Sequence, residues 1–345
     1  MARRMLASMG LLTPGEMIQP DPAGRDALER FHEPAYLDML IEAPKGDMGF
    51  EGLYMGLGTE ECPVFKGMYD YAALACGATL AAADAVANGR ARAAFNPSGG
   101  FHHAHPAKAS GFCYVNDVAI ACMRLADDFG RVLFLDVDVH HCDGVQDAFH
   151  DRRDVMTVSF HEKAEGFFPG TGGVDETGVG DGEGYSVNVP LPPGTHDAAY
   201  LRAFRAIAPP LATAYEPDVI VLEIGMDCLS GDPLAHLSLT NNAYAEVVES
   251  VLSLGRPLVV TGGGGYHPDN TARGWALVWT ILSGRDTHDA AVHGLGGVML
   301  ESTDWQGGLR DRVLAGKADE RAVVDEQVDA TVEEVRRRVF PVHGL

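Results

Sequence analysis

The sequence predicts an α/β fold, a mostly parallel sheet with helices on both faces, forming a single domain over residues 1–345. Short apolar runs alternate with helical periodicities along the chain, the order expected of a parallel sheet wrapped by helices. The residues suited to chemistry follow those runs, where open parallel sheets place their sites. No repeat, low-complexity tract or Pro/Gly/Ser-rich linker divides the 345 residues, a length that one α/β domain accommodates.

Each element has a local reason. The runs Ala93–Phe95, Val132–Val139, Val155–Phe160, Val219–Ile224 and Pro257–Thr261 are dominated by β-branched and large apolar residues and read as strands. Between them, Met68–Ala87, Asn116–Phe129, Ala198–Tyr215 and Ala243–Leu254 carry helical patterns, the first stopped by Asn88-Gly89. The start, Met1–Leu12, reads as a helix and not as a secretory signal, because no clear small-residue cleavage site follows it. Near the other end, Asp319–Val339 reads as a charged, solvated surface helix.

Composition limits the function classes. An apolar content of 46% supplies a core, while a formal net charge of −23 argues against nucleic-acid binding, which rests on clustered Lys and Arg. An acidic surface suits cationic substrates or simple solubility. The six cysteines, Cys62, Cys76, Cys113, Cys122, Cys142 and Cys228, show no Cys-x-x-Cys spacing, which fits buried thiols in a reducing, cytoplasmic compartment. No apolar run approaches the roughly 18 residues that a membrane span requires.

The run that begins at Val132 ends in chemistry: Asp136, Asp138 and His140 recur at period two within it, so all three face one side of a strand. Carboxylates buried there need a metal or a polar network to receive them. At about 3.3 Å per residue, Asp136 and His140 lie about 13 Å apart along an extended strand. Only one adjacent alternate pair can then share an ion, Asp138 with His140 or Asp136 with Asp138. Asp227, after the run Val219–Ile224, supplies a third donor. Asp138, His140 and Asp227 together would leave a coordination position open for water, the mark of a catalytic site. Such oxygen and nitrogen donors suit Zn²⁺, and also Fe²⁺ or Co²⁺.

Two further constellations follow other strands. His102 and His103 come in tandem after Gly99-Gly100, placed to hold and pass protons near neutral pH, with Asp136 and Asp143 as orienting partners. His105 reads as structural, and His141 and His161 fit either role. Gly262–Gly265 lead into Tyr266; they lack the Lys and Ser/Thr of a phosphate-binding P-loop. They let backbone approach the site while the Tyr266 hydroxyl donates to a developing oxyanion.

Gly99-Gly-Phe-His-His-Ala104, Ser110-Gly-Phe-Cys-Tyr-Val-Asn-Asp117, Asp136-Val-Asp-Val-His-His141, Ser159-Phe-His161, Phe168-Pro-Gly-Thr-Gly172, Ser230-Gly-Asp-Pro-Leu234 and Gly262-Gly-Gly-Gly-Tyr266 together resemble the zinc-dependent histone deacetylases. The resemblance is particularly to the class I enzymes and the bacterial acetoin-utilization type, and the match runs from about residue 55 to residue 275. The resemblance implies an arginase/deacetylase-like fold, zinc on Asp138, His140 and Asp227, and Tyr266 on the acyl carbonyl. His103 with Asp143 is then the general base and acid, and His102 with Asp136 is the neighbouring dyad. Gly111, Phe112 and Phe168 would line an acyl-lysine channel, with Glu61 and Leu234 as further substrate contacts. The family also binds K⁺, here around Asp136, Asp138, His140, Ser159 and Phe160, and at a second site around Phe149 and Tyr185.

Three departures accompany the match. Glu61 stands where the family has an aspartate, Cys142 stands for the usual glycine, and the chain begins within what resembles the family's first helix, so that the usual amino-terminal strand is lacking. Pro233 occupies the position of an arginine in most inositol-phosphate-regulated class I enzymes. The missing strand implies a wider pocket rim, or a rim covered by an oligomeric partner. The expected activity is hydrolysis of N-ε-acyl-lysine in a protein or peptide by metal-activated water. The alternatives are an acetylpolyamine or other small-amide hydrolase and a non-catalytic acyl-lysine binder. A dinuclear manganese hydrolase of the arginase type shares the architecture, and metal stoichiometry separates it.

Overall fold

In the computed structural model, which describes residues 1–46, 48–286, 309–312, 314 and 318–345, six strands form one sheet. They are β1 (Ala93–Asn96), β2 (Val132–Asp136), β3 (Val155–Glu162), β4 (Ser186–Leu191), β5 (Val219–Glu223) and β6 (Leu258–Thr261). The order across the sheet is β1-β6-β5-β2-β3-β4, and every pairing is parallel. The α-helices among the described residues are α1 (Ala2–Ser8), α2 (Arg25–Leu28), α3 (Pro34–Glu42), α4 (Gly49–Tyr54), α5 (Met68–Ala87) and α6 (Asp117–Phe129), then α7 (Asp143–Phe149), α8 (Asp197–Tyr215), α9 (Asn241–Ser253), α10 (Pro268–Leu282) and α11 (Ala318–Val339).

The period-two alternation of each strand divides the core. Val132 and Phe134 of β2, with Val219 and Val221 of β5, pack beneath α5 and α6. Leu133 and Leu135, with Ile220 and Leu222, pack beneath α8 and α9 on the opposite face. The helices therefore cover both faces, and the five anticipated strands and four anticipated central helices are all present. At the C-terminal edge, register aligns Asn96, Thr261, Glu223, Asp136, Ser159 and Asn188 into a polar row across all six strands. Every member of it is buried.

Three expectations need correction. β2 stops at Asp136 instead of running to Val139, because Asp136 Oδ1 accepts from the Asp138 N–H at 2.9 Å and Asp138 Oδ1 accepts from the His140 N–H at 2.9 Å. These carboxylates bend the chain, and the separation computed for an extended strand does not apply. β4 was not anticipated; it carries Pro190, tolerated because β4 is an edge strand. α11 is not simply solvated: Val328, Val332, Val335 and Val339, at helical spacing, join the core beneath α8.

That buried stripe is testable. Val335→Ala is expected to cost about 2 kcal/mol of unfolding free energy, from the lost methyl groups and the cavity left behind. Urea denaturation reads it, and a loss under about 0.5 kcal/mol, the scale of a surface substitution, would show that the stripe does not hold the helix.

Candidate metal centre and active site

Bends after β2 and β5 bring three donors together. Nδ1 of His140 lies 3.1 Å from Asp138 Oδ1 and 3.2 Å from Asp227 Oδ2, and all three residues are buried. Backbone N–H groups fix the carboxylates: Gly264 donates to Asp138 Oδ2 at 2.6 Å and Val139 donates to Asp227 Oδ1 at 2.9 Å. Asp227 Oδ2, buried, accepts no hydrogen bond. Glycine is required nearby, since a Cβ on Gly225 or Gly264 would collide with the Asp138 or Asp227 carboxylate.

The donor set fits a divalent cation. An orphaned carboxylate oxygen, a second carboxylate and an imidazole converge among buried residues, an arrangement that is costly without a positive charge among them. Burial and the Asp138 charge raise the Asp227 carboxyl to about 7. Burial depresses His140, but the Asp138 and Asp227 carboxylates beside its ring prevail and raise it to about 10. Of the pairings left open by the sequence, Asp138 with His140 is the one that meets Asp227. Asp136 turns instead to His102.

The tandem histidines form a relay beside these donors. Asp136 Oδ2 lies 2.7 Å from Nδ1 of His102, and Asp143 Oδ1 lies 2.7 Å from Nδ1 of His103. Their Nε2 atoms are 2.9 Å apart. Burial holds the His103 imidazole down to about 4, so it is neutral and able to accept a proton at neutral pH. His105, read as structural, supports the second pair: its Nε2 lies 3.5 Å from Asp143 Oδ2 and its Nδ1 3.1 Å from Asp147. His141 and His161 bond to Thr171 and Gln146, and to Ser159 and the Gly172 carbonyl, respectively. They brace the loop that carries Phe168.

A pocket of about 230 Å³ opens onto His103, Asp138 and His140, with Gly111, Phe112 and Tyr266 among its walls. Phe112 lies 5.7 Å from the Tyr266 ring, and Phe168 lies edge-on to His103 at 4.9 Å. Burial and the charges of Asp227 and Asp138 push the Tyr266 phenol upward, which keeps its proton available for donation. Glu61 is exposed, with Oε2 accepting from the Gly111 N–H at 3.4 Å, and it lies outside the pocket walls. Leu234, also outside them, is exposed on the loop of Asp232. Ser159 adjoins Asp136 in the sheet. Phe160 and Phe149 are core residues, and Tyr185 stacks edge-on against Tyr215.

Sequence reasoning overlooked four supporting residues. Asp117 accepts from the Phe101 N–H at 2.8 Å and from Gly100 at 3.2 Å, fixing the turn before the histidines. Asp232 Oδ2 accepts from the Tyr266 N–H at 2.7 Å. Phe167 stacks flat on His140 at 5.2 Å. Glu223 is fully buried next to His102, and an acid closing the apolar run from Val219 was its available signal.

Buried acids and imidazoles gathered beyond the ends of parallel strands, with a tyrosine facing them, define a metal-dependent hydrolase. A histone deacetylase domain model matches residues 1–282. Histone deacetylase 8 of Xenopus tropicalis is 41% identical over 287 residues, covering 83% of this chain and 78% of that protein. Acetoin utilization protein AcuC of Bacillus subtilis (strain 168) is 41% identical over 290 residues, 82% of this chain and 75% of that protein. The solved structure of an HDAC homolog from Aquifex aeolicus superposes with a TM-score of 0.87 at 33% identity, covering 97% of this chain and 92% of that one. A crystal structure of an HDAC homolog complexed with SAHA superposes equally well. The chain belongs to the histone deacetylase family.

Proposed function

We propose that this chain hydrolyses the amide of N-ε-acyl-lysine, most simply acetyl-lysine, in proteins or peptides, as one catalytic domain with Zn²⁺ held by Asp138, His140 and Asp227. The observation that carries the reading is the convergence of these donors with the His102–His103 relay at a pocket walled by Tyr266. Held there by Asp138, His140 and Asp227, a divalent ion would supply Lewis acidity toward the acyl carbonyl and the attacking water. His103, neutral and oriented by Asp143, takes the proton from the attacking water and later delivers one to the departing amine. His102, held by Asp136, faces His103 and stabilises the charge it acquires. The Tyr266 hydroxyl donates to the oxyanion of the tetrahedral carbon, and Phe112 and Phe168 flank the methylene stem of the substrate.

K⁺ is proposed at the backbone around Asp136, Asp138, His140, Ser159 and Phe160, and around Phe149 and Tyr185. A reducing, cytoplasmic setting is supported by six free, buried cysteines. No helix among the described residues is long and apolar enough to cross a membrane. The deciding experiment measures acetate released by the zinc-loaded chain from acetyl-lysine peptides and from acetylpolyamines. Greater kcat/KM for peptides supports the reading, preference for polyamines replaces it with the small-amide alternative, and binding without release rejects turnover altogether.

Glu61 bears on the same choice. As a rim carboxylate it accepts an N–H of the substrate, so Glu61→Gln is expected to lower kcat/KM for peptides about tenfold, the scale of one weakened charged hydrogen bond. Unchanged peptide kinetics would remove Glu61 from substrate recognition.

A further inference from the structure

Glu223 has no part in the mechanism above, yet it lies at the centre of the polar row. It is fully buried, flanked in register by Asp136 on β2 and Thr261 on β6. Its Oε1 is 3.2 Å from Nδ1 of His102. That nitrogen is hydrogen-bonded to Asp136 Oδ2 at 2.7 Å, however, and neither oxygen of Glu223 accepts a hydrogen bond. Two carboxyl groups therefore face one ring nitrogen. Among the described residues, His102 is the only ion-pair partner of both Asp136 and Glu223, and no lysine or arginine balances the second acid.

We propose that Glu223 holds a proton as a carboxylic acid and is a positioning residue, its O–H turned toward the Asp136–His102 pair so that His102 stays aimed at His103. A bare carboxylate with no donor is the least stable form of this side chain in a dry site, whereas the acid supplies a donor where acceptors are in excess. The other ionisable groups around it are Asp136 and Asp138 at the end of β2, Asp117 of α6, Asp227 beyond β5, and the thiols of Cys113 and Cys142. Of these, the carboxylates of Asp136 and Asp117 oppose a negative charge on Glu223, while Asp138 and Asp227 are reserved for the metal and burial keeps both thiols protonated. Burial acts in the same direction.

The inference rests on the deacetylase reading, and its test uses the zinc-loaded full chain with an acetyl-lysine peptide. Glu223→Leu, similar in size and without a donor, is expected to lower kcat about 10–100-fold, the usual range for a residue supporting a metal site from behind, with KM and zinc content unchanged. Glu223→Gln, which keeps a donor and cannot ionise, is expected to restore most of that loss. A fully active Glu223→Leu overturns the inference. So does a Glu223→Gln as impaired as the leucine variant, which would mean that the ionised form is needed. Should the leucine variant not fold, infrared difference spectroscopy of the unaltered chain against Glu223→Gln decides: a carboxylic-acid C=O band lost in the variant supports the proton, and no such band overturns it. An unaltered chain that releases no acetate counts against the proposed function, and the infrared comparison still decides Glu223.

Discussion

Asp227→Ala is expected to abolish both stoichiometric zinc binding and turnover, and Asp138→Ala to do the same. Each carboxylate reaches His140 Nδ1 within 3.2 Å, and each is pinned by a backbone N–H through an oxygen at 2.9 Å or less. Neither can be replaced by a swing of its neighbour. With one removed, two donors remain, too few to retain zinc at ordinary concentrations. Each variant also strips a buried backbone N–H of its acceptor, so its melting temperature is expected to fall. Metal analysis after dialysis, paired with an acetate-release assay and a thermal melt, reads all three. Full zinc content with full turnover in either variant would sink the ligand assignment.

The second large effect concerns Tyr266. Its backbone is anchored by Asp232 and its ring is set against Phe112, while burial keeps its phenol protonated. A pre-aimed donor of this kind stabilises the transition state more than the substrate. Tyr266→Phe, which leaves the ring in place, should therefore reduce kcat by roughly 10²–10³ with zinc content and KM little altered. Single-turnover kinetics separate the chemical step from product release, and an unchanged rate there would show that the hydroxyl does not serve the carbonyl.

Much of this site was legible because it lies on strands. The alternation Asp136, Asp138, His140 and the residues following the other apolar runs pointed to one edge of one sheet, and parallel pairing of β2 with β5 brings Asp227 to Asp138. What could not be read was the local bend. Side-chain-to-backbone hydrogen bonds from Asp136 and Asp138 end β2 early, and strand periodicity carries no information about such competition. The pairing of Asp138 with His140 was consequently left undecided. α11 was misjudged because its acidic and basic residues outnumber a stripe of four valines, and only the surface of α8 shows that the stripe has somewhere to go. Glu223 and Asp232 act through backbone or neighbouring side chains, roles that need the third dimension to appear.

The polar row from Asn96 to Asn188 also acts as an alignment key for folding. Apolar strands of Val, Leu and Ile discriminate poorly between neighbouring registers, because a shifted strand still presents apolar side chains on both faces. In this sheet a slip of one residue would carry Asp136 or Glu223 to the face beneath α8 and α9, among Leu133, Leu135 and Leu222, away from His102. Every such misalignment is penalised by a buried acid. The same carboxyl groups that prepare the chain for hydrolysis therefore tell its strands where to stop sliding.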